Sequence, residues 1–298
     1  MRRSRNLLIA VAAAVILGGG GLIALGMGGG DGGGPVAALT GKDKPAGPSP
    51  EELARIERAK RAKQLDAALK QVAAETPDFS VAVIDRKTGQ AYAYQGGTKF
   101  DTASIVKAQI LACELLKAQD ADREPTKSEM ALAKPMIQFS DNNATTELFE
   151  RLGGQSAITK CNKRMGLTQT TVNRAWGLTK TTATDQVKLL TRLVDPRGPL
   201  DEKSRKTAFT LMNTVADDQD WGVPSVARPG ETTTVKNGWD TRSADGGLWA
   251  VNTIGRVTSP DGKVDVSVAV LSHNNPSMDS GIALVEKVAQ LTREHLKY

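Results

Sequence analysis

The chain has 298 residues, of which 40% are apolar and 24% charged, a composition typical of a globular protein with one large domain or two small ones. Two cysteines exclude a disulfide-rich scaffold and two histidines exclude a histidine-rich zinc site, so we expect no metal and no other cofactor. Residues 1–50 carry five Lys/Arg and two Asp, which leaves 34 basic against 31 acidic residues for 51–298. This balance gives no reason to expect a nucleic-acid partner.

The first fifty residues have the pattern of an export signal followed by a linker. Three arginines, at positions 2, 3 and 5, precede 24 uncharged residues from Leu7 to Gly30. Val36-Ala37-Ala38 offers a small-residue cleavage site, whereas residues 7–30 alternatively form a membrane tether. We therefore predict a signal peptide or membrane anchor over 1–38, a flexible linker over 39–50 and a secreted or extracytoplasmic protein.

Hydrophobic periodicity then predicts the elements of a domain over 51–298. A helix runs from Glu51 to about Glu75, and Phe79–Asp85 and Ala91–Gln95 alternate as the two strands of a hairpin. Apolar spacing near 3.6 residues predicts only helices between Ser104 and Asp218: Ile105–Gln119, Lys127–Phe139, Ala144–Leu152, Gln155–Met165, Thr184–Val194 and Lys203–Val215. Three alternating strands and a helix follow: Thr232–Trp239, Leu248–Val257, Val264–Ser272 and Ser280–Leu296.

This order of elements predicts an α/β (α+β) fold. Two strands before the helical block and three after it would form one five-stranded antiparallel sheet, flanked by the terminal helices, with an all-α lobe beside it. Because ligand sites usually lie in clefts between such parts, we expect the site between the sheet and the helical lobe.

Ser104-Ile105-Val106-Lys107 opens the first long helix of the helical block. Side chains three residues apart lie on one face of a helix, so a neutral Lys107 amine can take the proton of the Ser104 hydroxyl. A motif this short also arises by chance, in which case Lys107 is an ordinary surface lysine.

Two further motifs follow in order, Ser140-Asp141-Asn142 at a helix junction and Lys236-Asn237-Gly238 on the first late strand. The ordered set resembles the penicillin-recognising serine enzymes, class A β-lactamases and the related D,D-peptidases. The resemblance covers nearly all of residues 51–298 and implies a β-lactamase/transpeptidase-like fold. It also implies a monomer acting on a small β-lactam or a cell-wall peptide.

Transferred residue by residue, the resemblance implies a set of catalytic and substrate-binding groups. Ser104 would be the acylated nucleophile, Lys107 its base, and Ser140 the relay to the leaving nitrogen. Asn142 would orient the substrate amide, and Lys236 would attract the substrate carboxylate. The backbone around Gly238 would approach the substrate closely, and the N–H groups of Ser104 and Trp239 would form the oxyanion hole.

The sequence departs from this family pattern at two places. Residues 168–182 contain no acidic residue, whereas class A β-lactamases place a water-activating glutamate in the corresponding loop. Asn237 stands where the family usually has a threonine, so an amide would read the anionic end of the ligand. We therefore expect a serine hydrolase that opens a β-lactam or related amide through Ser104. The alternatives are a D,D-carboxypeptidase or transpeptidase with slow deacylation, and a non-catalytic cell-envelope binding protein.

Cys113 and Cys161 are predicted on two different helices of the helical lobe. In an exported protein they would form a disulfide, and otherwise they would be two small buried apolar residues.

Overall fold

The computed structural model describes residues 47–241 and 243–298, so the predicted signal peptide or anchor and most of the predicted linker lie outside the described residues. The helices are α1 (Pro50–Glu75), α2 (Val106–Asp120), α3 (Lys127–Gln138), α4 (Asn142–Leu152), α5 (Gly154–Met165), α6 (Ala183–Arg192), α7 (Glu202–Asn213) and α8 (Met278–Leu296). The strands are β1 (Phe79–Asp85), β2 (Gln90–Tyr94), β3 (Phe100–Asp101), β4 (Lys180–Thr181), β5 (Thr232–Thr241), β6 (Trp249–Thr258) and β7 (Asp265–Asn275).

Five of the strands form one antiparallel sheet in the order β2-β1-β7-β6-β5. The neighbours β1 and β7 come from distant parts of the chain, since Val83 is paired with Val268. The predicted five-stranded antiparallel sheet, with strands from both sides of the helical block, is confirmed.

The two faces of the sheet contribute to two separate apolar cores, as the alternation of strand side chains requires. Val81 and Val83 of β1 pack in the core shared with α1 and α8, whereas Ala82 between them packs in the core of the helical lobe. The first core also buries three residues of α1: Leu65, Leu69 and Val72. The sheet therefore lies between the terminal helices and the helical lobe.

The helical block contains one short strand that the periodicity did not predict. β4 pairs with β3, with Phe100 opposite Thr181 and Asp101 opposite Lys180. The expectation of helices alone between Ser104 and Asp218 is wrong here, because two-residue strands are too short to show an alternating pattern.

Two local features fix the helices around the cleft. Asp141 caps α4, its Oδ1 accepting a hydrogen bond of 2.7 Å from the backbone N–H of Ala144. Cys113 of α2 and Cys161 of α5 form a disulfide, so they are not two free buried cysteines.

Within the described ranges, no helix combines the length and apolar character needed to cross a membrane.

Candidate active site

Ser104 lies in a short 3-10 turn, Ala103–Ile105, that leads into α2. Two hydrogen bonds hold the residue before this turn: the N–H of Thr102 donates to the carbonyl of Thr179 at 2.8 Å, and the side-chain Nδ2 of Asn252 donates to the carbonyl of Thr102 at 3.1 Å. Ala103 adopts a φ of +44°, which a residue with a Cβ rarely takes. Such strain persists only where the surroundings enforce it, so the half-buried Ser104 is presented in a fixed orientation.

β5 passes directly against this turn at Gly238. A Cβ at this position would lie 2.6 Å from the backbone N of Ile105 and 2.7 Å from that of Ser104. Both distances are shorter than van der Waals contact, so only glycine lets the strand edge approach the start of α2. Gly238 therefore makes a close approach to the Ser104 backbone, and the close approach to a substrate expected from the sequence stays a prediction.

Lys107 is fully buried one helical turn after Ser104, and its amine contacts the second motif. Its Nζ lies 2.6 Å from the Ser140 carbonyl oxygen, 3.1 Å from Ser140 Oγ and 2.7 Å from Asn142 Oδ1. Lys236, 1% exposed on β5, places its Nζ 3.0 Å from the same Ser140 Oγ. The structure thus brings Lys107, Ser140, Asn142 and Lys236 into one hydrogen-bonded network. Asn142 of this network and Ser104 line the same cavity.

Burial sets the protonation of both amines. It lowers the pKa of Lys107 to about 8, against a smaller opposing effect of the Asp141 carboxylate. Burial, and then the charge of Lys107, lower the pKa of Lys236 well below its usual range. A lysine with a pKa near neutrality can exchange protons with a hydroxyl, which an exposed lysine does poorly.

Ser140 is positioned by an unusual backbone conformation between α3 and α4. Its φ is +55°, and the N–H of the next residue, Asp141, donates to the carbonyl of Pro135 at 3.1 Å. The left-handed residue ends α3, and the Asp141 cap then starts α4. The hydroxyl is consequently directed to the two amines by the junction of two capped helices.

The side chain of Asn237 makes different contacts from those that the sequence predicted. Its side chain is buried, and Nδ2 donates to the carbonyl oxygens of Gln219 at 2.8 Å and Trp221 at 2.9 Å. The amide nitrogen therefore ties β5 to the 219–221 segment, and the expectation that it reads a ligand carboxylate requires correction. Trp239, by contrast, is half-buried and lines the cleft beside Ser104.

The loop that lacks the glutamate contributes an indole instead. Trp176 Nε1 donates to Thr146 Oγ1 of α4 at 3.1 Å, and Lys107 Nζ lies 5.0 Å from the centre of the Trp176 ring. Trp176 lines the cavity that also contains Ser104 and Asn142. We did not predict this residue, although a single tryptophan in an otherwise polar loop opposite the motifs was the available signal.

The fold is that of the class A β-lactamase-like serine enzyme family. A model of the Beta-lactamase enzyme family matches residues 119–296, and the chain belongs to that family. The matched range contains Ser140, Asn142 and Lys236 and begins after Ser104 and Lys107.

Solved structures show the same fold at low sequence identity. The chromosome-encoded β-lactamase of Vibrio parahaemolyticus superposes with a TM-score of 0.68 at 18% identity, covering 78% of this chain and 99% of the other. An ancestral (GNCA) class A β-lactamase gives 0.66 at 22% identity over 77% and 99% of the two chains. The structure of PBP-A gives 0.67 at 18% identity over 80% and 96%.

Curated relatives in Mycobacterium tuberculosis and Mycobacterium bovis carry the name "Putative lipoprotein LppW". They are 30% identical over 178 residues, which are 57% of this chain and 56% of theirs. The chain thus spans about half the length of the curated relatives it matches.

Proposed function

We propose that this protein is a serine enzyme that opens β-lactams or related cell-wall amides by acylation of Ser104, and that it releases the acyl group slowly. The observation that carries the proposal is the network in which the Ser140 hydroxyl lies within 3.1 Å of two lysine amines, one of which belongs to Lys107, a helical turn after Ser104. A lysine buried in this way supplies the base that a serine nucleophile needs in the absence of histidine.

The acylation step moves one proton from Ser104 to the leaving nitrogen. The neutral Lys107 amine takes the proton from Ser104 Oγ as Oγ bonds to the substrate carbonyl carbon. The carbonyl oxygen, now negative, is stabilised by backbone N–H groups of Ser104 and Trp239 where β5 meets the turn. When the carbon–nitrogen bond breaks, the Lys107 proton passes through Ser140 Oγ to the nitrogen, which leaves as an amine.

Asn142 and Lys236 are assigned to substrate binding in this scheme. Asn142 is exposed and its Oδ1 is bound to Lys107, so its Nδ2 is the group that would meet the acyl amide of the substrate. Lys236 holds Ser140, and in its protonated form it adds positive potential for the substrate carboxylate.

Slow release follows from the composition of the loop opposite Ser104. Residues 168–182 contain no acid, and the Trp176 ring covers the Lys107 amine on the cavity side of the network. A hydrolytic water needs space beside the acyl group and a base to take its proton. The Trp176 indole reduces that space and cannot act as the base.

The experiment is intact-mass measurement of the purified chain mixed with benzylpenicillin, followed over minutes to hours. We expect a mass increase of one penicilloyl group in the native chain and none in Ser104→Ala. The Ser225→Ala variant, which removes an exposed serine elsewhere, should acylate normally. Absence of any adduct with unmodified penicillin would contradict the proposal and favour a non-catalytic binding protein, whereas rapid accumulation of hydrolysed penicillin would contradict slow release.

An extracytoplasmic location belongs to the same proposal. It is supported by the export-signal pattern of residues 1–38, by the Cys113–Cys161 disulfide and by the name of the mycobacterial relatives.

A further inference from the structure

The cavity beside Ser104 combines an aromatic ring with one negative charge. Its volume is 280 Å³, and its lining includes Trp176 and Leu178 from the loop, and Trp239 and Asp240 from β5. Of the described residues that line it, Asp240 is the one with an ionisable side chain. An indole and a carboxylate at one cavity can together bind an organic ammonium group. The Trp239 ring does not contribute, because it packs on Trp221 with ring centroids 6.0 Å apart, on the face of β5 opposite to Gly238 and Asp240.

Asp240 is available to a ligand. Its side chain is exposed, and Oδ1 accepts a local hydrogen bond of 2.9 Å from the N–H of Thr241. Within the described residues it has no ion-pair partner. A carboxylate at the end of the strand that runs past Ser104 therefore adds its charge to the cavity.

In the proposed reaction this cavity lies on the acyl side of the attacked carbonyl. Ser104 and Asn142 line it, whereas Ser140 and Lys236, the groups assigned to the leaving side, are absent from its described lining. The substituent carried by the carbonyl carbon must therefore enter it when Ser104 attacks.

We infer that this cavity recognises an ammonium group on the acyl portion of the substrate, through the Asp240 carboxylate and the Trp176 ring. The inference rests on the proposed function for the identity of the acyl donor. Lys107 does not oppose such a ligand directly, because its side chain is buried and the Trp176 ring covers its amine.

Benzylpenicillin and ampicillin differ by one ammonium group on the acyl side chain, so they form a matched pair of probes. Binding is measured by tryptophan fluorescence on the Ser104→Ala chain, which cannot be acylated. We expect ampicillin to bind about threefold to tenfold more tightly than benzylpenicillin at low salt, with a smaller ratio at high salt. Adding Asp240→Asn should bring the ratio to about one without weakening benzylpenicillin. Adding Glu294→Gln, which removes an exposed acid of α8, should leave the ratio unchanged.

Equal binding of the two penicillins to Ser104→Ala, or a preference that survives Asp240→Asn, would overturn the inference. Acylation of the native chain is measured in parallel with both penicillins. If neither acylates Ser104 while the Asp240-dependent preference is present, the proposed function fails and the ammonium site stands. If both acylate it but no preference exists, the proposed function stands and the ammonium site fails.

Discussion

Ser140 Oγ has a position that limits the charge of its two neighbours. It lies 3.1 Å from Lys107 Nζ and 3.0 Å from Lys236 Nζ, and a hydroxyl has only one proton to donate. Burial lowers the pKa of Lys107, and burial, followed by the charge of Lys107, lowers the pKa of Lys236. When one of the two lysines loses a proton, its neutral amine can accept a hydrogen bond from the Ser140 hydroxyl. This hydrogen bond is the path needed for proton transfer.

The rate of Ser104 acylation should therefore depend on pH. Burial lowers the pKa of Lys107 to about 8, and only the neutral amine accepts a proton. We expect the second-order rate constant for benzylpenicillin to rise about tenfold per pH unit below pH 8 and to level off above it. Stopped-flow fluorescence between pH 6 and 9.5 measures the profile.

Lys107→Arg provides the test of this assignment, because a guanidinium stays protonated over the whole range. We expect acylation to fall at least about a hundredfold. Lys117→Arg, on the exposed side of the same helix, should leave the profile unchanged. A native rate that is the same at pH 6 and pH 9 would contradict Lys107 as the base.

At the scale of elements, the 173–179 loop determines how long the acyl group remains. Removing the Trp176 indole opens space for water beside Ser104 and uncovers the Lys107 amine as a base. We expect Trp176→Ala to shorten the lifetime of the penicilloyl-enzyme roughly tenfold, as measured by intact mass after removal of free penicillin. Trp176→Phe retains a ring and should keep a lifetime close to that of the native chain. Equal lifetimes in all three proteins would show that the ring does not exclude the water.

The helices and long strands were predictable because each carries its own local signal. α3 begins where Thr126 and Glu129 form a capping box, and α4 begins at the Asp141 cap. The β3–β4 pair has no such signal, since it joins residues about 80 apart through two positions each. Helix and strand bounds therefore differ from the predicted ones mostly by one or two residues, whereas this ladder was missed.

The candidate site was predictable as far as motif order specifies contacts. Lys107, Ser140 and Lys236 are in hydrogen-bond contact, because α2, the α3–α4 junction and β5 each contribute one of them. The direction of the Asn237 amide was not predictable, since it depends on the carbonyl oxygens of residues 219 and 221, which no pattern places. The contact of Trp176 with Lys107 depends in the same way on a loop path without periodicity.

For the whole molecule, α2 joins the active site to the core of the helical lobe. Twelve of its fifteen residues are buried, including Glu114, two helical turns after Lys107. Neither carboxyl oxygen of Glu114 has a hydrogen-bond partner among the described residues. Burial, and next the negative charge of Glu129, raise the pKa of Glu114 to about 7. The lobe thus contains an acid that is protonated in the folded state at mildly acidic pH.

This acid should make the folded state less stable as the pH rises. The pKa of Glu114 in the folded chain lies above its ordinary value of 4.5, so the folded chain binds more protons between pH 4.5 and 7 and loses stability across that range. The hydrogen bond from Arg123 is the main reason that the pKa of Glu129 is lowered to about 2, so Glu129 titrates below this window.

Glu114→Gln imitates the protonated form of Glu114, so the free energy of unfolding of this variant should equal that of the native chain near pH 4.5. It should exceed the native value by about 2–3 kcal/mol at pH 8.5. Urea unfolding of both proteins at a series of pH values measures the difference, with exposed Glu150→Gln as the control. A difference that stays constant from pH 4.5 to pH 8.5 would show that Glu114 does not titrate in the folded lobe.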